Sequence, residues 1–144
     1  MLRRRFRLAA AAALLLAASA CGDGDEGGNG GGTAAGDDLF AQGRQVFTRC
    51  AACHAAGHRE NKVGPHLVDL FGRPAGSLPD FRYSQAMATA DIVWTEETLE
   101  AYLREPRDYI PGNRMAFAGL RDDEDLRALM AYLRRVTVPE EAAE

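Results

Sequence analysis

Lysine is nearly absent from this chain of 144 residues. Lys62 stands alone, and every other one of the 17 basic residues is an arginine. Against 21 acidic residues the formal net charge is −4. A nucleic-acid-binding domain needs a strongly basic face, so that class of function is excluded. Alternation with a period of two is also missing over any useful length, and no strands are expected. Long apolar runs are scarce. The main one, LAAAAALLLAA at residues 8–18, is too short for a comfortable membrane span. The length suits one ordinary domain and not two.

The apolar run sits behind Arg3, Arg4, Arg5 and Arg7 and ahead of small residues. Residues 1–20 therefore read as an export signal and not as part of the fold. Two cleavage readings fit. Ala18-Ser19-Ala20 suits ordinary signal peptidase. The same residues before Cys21 resemble a bacterial lipobox, although Ala18 stands where a leucine is usual. Cysteine arithmetic favours lipid. The chain has three cysteines, and if Cys50 and Cys53 act together, Cys21 is the odd one. Residues 21–37 then read as a lipidated cysteine and a Gly- and Asp-rich flexible tether. The domain occupies 38–144. Beyond the signal, 13 basic residues face 21 acidic ones.

Asp38 is the expected cap of a first helix, whose apolar stripe runs through Leu39, Phe40, Gly43, Val46, Phe47 and Cys50. Residues 55–82 carry repeated Gly and Pro and read as loops. A short helical turn is expected near Ser84–Ala88. Thr95 caps a helix that Pro106 stops, with Leu99, Tyr102 and Leu103 on its apolar face. Residues 107–121 read as irregular. Asp122 to Asp125 open a last helix, with Leu126, Leu129, Met130, Leu133 and Val136 as its buried stripe. The fold class is all-α, three to four short helices and long loops. Loops that long in a compact domain point to a large apolar cofactor at its centre.

TRCAACHAAG, residues 48–57, says which cofactor. Cys50, Cys53 and His54 form Cys-x-x-Cys-His. A structural zinc site wants four ligands, and here there is one cysteine pair. A thioredoxin-like pair needs a βαβ setting, and no strands appear. The pattern is that of haem attachment. Two thiols add to the two vinyl groups on one porphyrin edge, and the next residue lies where its imidazole can ligate the iron. YIPGNRMAFAG, residues 109–119, supplies a candidate second ligand in Met115. A His/Met pair raises the haem potential. Met130 and Met87 read as packing residues, with Met87 an alternative ligand.

From Leu39 to Val138 the chain resembles the class I c-type cytochromes, in the mitochondrial-type branch shared with bacterial periplasmic carriers. The likeness includes Gly43-x-x-x-Phe47, CAACH, NKVGPHLVDLFGR, FRYSQA, Trp94, AYLREPRDYIPGNRMAFAG and LMAYLRRVT. It implies one haem c joined through Cys50 and Cys53, with His54 and Met115 as axial ligands. It implies that Pro65 offers its carbonyl to His54 and that Arg73, Tyr83 and Trp94 face the haem propionates. Tyr102 falls near the Met115 sulfur and Phe117 beside the exposed haem edge. Gly43 and Phe47 should cross the last helix near Leu129 and Tyr132. Met87 and Asn113 stand where relatives carry Asn and Thr. His58 and His66 match no ligand position and read as loop residues.

The resemblance implies a monomeric single-electron carrier and not an enzyme. Its donor would be a quinol:cytochrome c oxidoreductase, and its acceptor a terminal oxidase or a photosynthetic reaction centre. It would work in the periplasm or at the outer face of the bacterial cytoplasmic membrane, held to the bilayer through Cys21. The rival is a haem enzyme or gas sensor with an open iron, which requires Met115 to be absent or labile. Arg44, Arg49, Lys62, Arg107, Arg114 and Arg121 fall in the segments that surround the haem edge in relatives, and are expected to form a basic rim.

Overall fold

The computed structural model describes residues 31–138. The signal, Cys21 and the tether as far as residue 30 lie outside the described residues. Five helices follow in order: α1 Gly31–Ala51, α2 Gln85–Ala88, α3 Glu96–Arg104, α4 Pro106–Tyr109 and α5 Asp123–Val136. Among the described residues there is no strand, only an isolated antiparallel bridge between Pro74 and Val93.

Asp38 does not cap α1. The helix starts at Gly31, and residues 31–37 are part of it. Long-range contacts reach the first half of this helix. Arg135, at the end of α5, pairs with Asp37 at 3.1 Å and lays its guanidinium 4.1 Å over the Phe40 ring. Asp37 and Arg135 are both exposed, so this pair ties α1 to α5 but adds little to the stability of the helix.

The other caps follow local chemistry. Thr95 accepts from the Thr98 amide, and the Thr98 hydroxyl reaches back to the Thr95 amide, a reciprocal pair that opens α3. Asp122 accepts from the Asp125 amide and opens α5. Ser84 does the same for α2 through the Met87 amide. Pro106 ends α3, since it has no N–H to continue the ladder, but it also sits at the start of α4. The stretch 107–121 is thus not wholly irregular, as its Pro and Gly content suggested.

The core forms where α1 crosses α5. A β-carbon on Gly43 would overlap the Ala128 carbonyl, so the two backbones touch there. Tyr132 packs against Phe40 and Phe47, each with ring centroids 5.2 Å away. Leu126, Ala128, Leu129, Met130 and Leu133 are buried, whereas Val136 is half-buried. Leu99, Tyr102 and Leu103 of α3 join the same cluster. The long loop is pinned to the segment before α3. Ala75 donates to Ile92 at 2.8 Å, Trp94 to Arg73 at 3.0 Å, and Gly72 to Trp94 at 2.9 Å. This frame fixes the end of α1 facing the loops.

Candidate haem-binding site

Cys50 lies in the last turn of α1. Cys53 and His54 continue from it in a tight turn, each donating its amide to the Cys50 carbonyl at 2.9 Å. Both thiols are free and half-buried. Burial pushes the Cys50 thiol up, with Arg49 opposing. A single helix end thus presents two thiols and an imidazole together.

His54 is oriented by the loop that follows. Its Nδ1 lies 2.7 Å from the Pro65 carbonyl. A carbonyl only accepts, so Nδ1 carries the proton and Nε2 keeps a free lone pair in the neutral ring. Burial holds the His54 pKa below its ordinary value, although the Pro65 bond opposes it. Gly64 lies against the imidazole, and a β-carbon there would overlap the ring. The strap is tied down by Gly64 N–H to the Cys53 carbonyl at 2.8 Å, Lys62 N–H to Gly64 at 2.9 Å, and Lys62 Nζ to Ala51 at 3.2 Å.

Met115 sits in the loop between α4 and α5, half-buried against the core. The Tyr102 hydroxyl, from α3, lies 3.7 Å from its sulfur. Asn113 Oδ1 is 3.5 Å from the same hydroxyl, long for a bond between oxygens, so the hydroxyl faces both acceptors with the sulfur within its usual range. Tyr102 also packs on Trp94, with ring centroids 5.0 Å apart. Desolvation pushes its pKa up to about 12.

Arg73 and Tyr83 form a third group. Arg73 donates to the Val68 carbonyl at 2.7 Å and the His66 carbonyl at 3.1 Å. Burial raises the Tyr83 pKa, and Arg73 draws it back. Tyr83 packs edge-on against Phe81 at 4.8 Å. Phe117 is half-buried against the core, two residues beyond Met115. His58 is exposed and pairs with Glu60. His66 is different: it lies in a loop, but it is buried, and its Nδ1 has no hydrogen-bond partner.

Three contributors lie within the sequence motifs, which assign them no role of their own. Gly64 matters through the ring it touches. Asn61 staples two loops, donating to Asp80 Oδ2 at 2.9 Å and accepting from the His66 amide at 3.0 Å. Asn113 stood out in the sequence only as a replacement for Thr, and it anchors the Met115 loop through both ends of its amide.

These residues fit a haem. Two thiols and an unprotonated imidazole nitrogen share one helix end. Leu67, Phe71, Met87, Ile92, Met115 and Phe117 supply apolar surface that the protein only half-buries, suited to a porphyrin face. Among the described residues, no group of three or more His, Cys, Asp or Glu could hold a separate metal ion, and no helix is long and apolar enough to cross a membrane.

Known proteins agree with the geometry. The family model described as "Cytochrome c" matches residues 40–137. The chain is 52% identical over 101 residues to a cytochrome c2 of Afifella marina, covering 67% of this chain and 82% of that protein. It is 45% identical over 103 residues to a cytochrome c2 of Blastochloris viridis, covering 71% and 80%. A cytochrome c of Chlamydomonas reinhardtii is 45% identical over 108 residues, covering 72% and 92%. With the thiol pair and imidazole at the end of α1 and the crossing of α1 and α5, this likeness over most of the chain places it in the class I cytochrome c family, as an electron carrier and not an enzyme, with haem c joined through Cys50 and Cys53.

Proposed function

We propose that the protein carries single electrons between membrane-bound redox complexes, with His54 and Met115 as the axial ligands of its haem. The bound haem supplies an iron that alternates between Fe(III) and Fe(II). The chain's own residues set the conditions for that exchange. Pro65 and Gly64 hold the His54 ring. Tyr102 and Asn113 hold the Met115 side chain and its loop. With both axial positions taken by protein, no site is left for a substrate, which is the reason to read a carrier and not a gas sensor. Arg73, Tyr83 and Trp94 are proposed to face the propionates, and Phe117 the exposed edge.

The observation that carries this reading is the Tyr102 hydroxyl 3.7 Å from the Met115 sulfur, since a half-buried thioether in a loop, with a donor beside it, is poorly explained as core packing. Met115→Ala in the haem-loaded protein tests it. The far-red thioether–iron band of the oxidised form should vanish, added imidazole should bind, and the potential should fall. An unchanged spectrum and potential would overturn the ligand assignment.

Relatives named cytochrome c2 support the periplasm as the compartment. They also favour a quinol:cytochrome c oxidoreductase as donor, and a reaction centre or terminal oxidase as acceptor. Anchoring through Cys21 is compatible with the fold. From Gly31 to Cys50, α1 spans about 28 Å at 1.5 Å per residue, so a tether entering at its start leaves the cysteine pair at the far end. Cys21→Ser should release the protein from the membrane fraction; equal retention of both forms argues against the anchor.

The basic rim is only partly available for docking. Arg49 pairs with Asp125 and Arg121 with Glu105. Arg114 donates to the Arg82 carbonyl at 2.6 Å. Arg44, Lys62, Arg107 and Arg114 are exposed and make no ion pair among the described residues, and a bond to a neutral carbonyl leaves the charge in place, so these four are the proposed steering charges.

A further inference from the structure

We propose that Asn113 is the positioning residue that keeps Met115 in place, acting as an internal clamp on the ligand loop. The proposal rests on the Met115 ligation put forward above. Among the described residues, the segment 114–119 makes no backbone-to-backbone hydrogen bond, so its conformation depends on side chains. Asn113 uses nearly its whole amide for this. Nδ2 donates to the Pro106 carbonyl at 2.6 Å and to the Ile110 carbonyl at 2.8 Å. Oδ1 accepts the Met115 amide at 3.0 Å. The orientation of the amide is unambiguous, because a flip would set Oδ1 against two carbonyl oxygens. The half-buried amide therefore ties the ligand's own backbone to the start and the end of α4.

Pro106 is buried and packs at the junction of α3 and α4. The clamp thus refers the position of Met115 to the same α3 that carries Tyr102. A shift of the loop would separate the sulfur from the hydroxyl. Threonine at this position has one hydroxyl, with a single proton to donate, and cannot bond both carbonyls. The asparagine is the better clamp for this loop.

The test uses the haem-loaded protein and imidazole as the probe. Asn113→Ala removes all three bonds. Asn113→Asp keeps the size and the acceptor but loses both donors. Both should bind imidazole about tenfold more tightly than the parent, because the loop opens more often when bonds that close it are lost. The potential should fall, and the thioether–iron band should weaken at lower pH or temperature than in the parent. Asn113→Thr restores one donor and one acceptor and should lie between. A residue that only stabilised the fold would lower the unfolding midpoint and leave imidazole affinity and potential unchanged under native conditions. That result overturns the proposal. Met115→Ala separates the two readings. If it binds imidazole no better than the parent, the ligation itself is wrong. If it binds tightly while the Asn113 variants do not, only the clamp is wrong. Should the Ala variant fail to mature, the Asp and Thr variants carry the test.

Discussion

The hydroxyl of Tyr102 lies 3.7 Å from the sulfur of Met115, and the two residues come from different elements, α3 and the loop after α4. If Met115 ligates the iron as proposed, a donor at that sulfur would draw electron density from it and make it a weaker ligand toward Fe(III). Tyr102→Phe should therefore lower the midpoint potential. A hydrogen bond worth about 0.5–1.4 kcal/mol corresponds to about 20–60 mV for one electron. Voltammetry of the two proteins checks this, and a rise in potential would contradict it. The Tyr102 pKa, pushed up to about 12 by burial, keeps the donor in place across the working range. The folded state holds this proton more tightly than the unfolded one, so the contribution is present below about pH 10 and is lost as pH rises toward 12.

Gly43→Ala should destabilise the protein despite the higher helix propensity of alanine. The gain in propensity is about 1 kcal/mol. The added carbon would meet the Ala128 carbonyl and the Tyr132 Cβ, and neither is the free end of a flexible side chain. Overpacking of this kind costs about 3 kcal/mol, and more where backbones must separate. Guanidinium unfolding of the haem-loaded variant should show a net loss. A neutral or stabilising result would mean that α1 and α5 can part without cost.

Acid should weaken the fold through His66. Burial first, and Arg73 second, hold its pKa below the ordinary value; Arg59 adds to this, while Asp80 and Asp69 oppose it. The unfolded chain therefore takes up a proton more readily than the folded one as pH falls below about 6.5. The stabilisation is complete above that pH and declines below it, down to the folded pKa. His66→Asn should flatten the pH dependence of the unfolding midpoint below about pH 6.5 relative to the parent. Parallel curves for the two proteins would show that His66 contributes nothing.

Arg107→Glu should slow reduction by the isolated donor complex and leave the haem potential nearly unchanged. If the rim steers docking onto an acidic partner, the rate should also fall as salt rises, since screening sets in over about 8 Å at physiological ionic strength. A rate that climbs with salt would mean that the net acidic charge governs the encounter. Arg49→Glu should matter less, because Asp125 already lies 3.4 Å from that guanidinium.

The features legible from residue order are local ones. Cys50, Cys53 and His54 were legible as a haem anchor because spacing alone carries that chemistry. The helices opening at Thr95 and Asp122 were legible because a cap lies within three residues of the amide it satisfies. The apolar stripe of α5 was legible because its period is that of one helix. Pro65 and Tyr102 came from the likeness to a family, since nothing local ties a carbonyl to an imidazole 11 residues back. The tertiary structure alone decided the rest. Asp37 finds its partner in an arginine 98 residues away. His66 is buried although the sequence places it in a loop. Asn113 becomes a clamp only because Pro106 and Ile110 bring their carbonyls to one amide. The physical reason is common to all three. The partners that satisfy or desolvate these groups lie beyond the local pattern, and they meet only after α1 has packed on α5 and the loops have closed around the site.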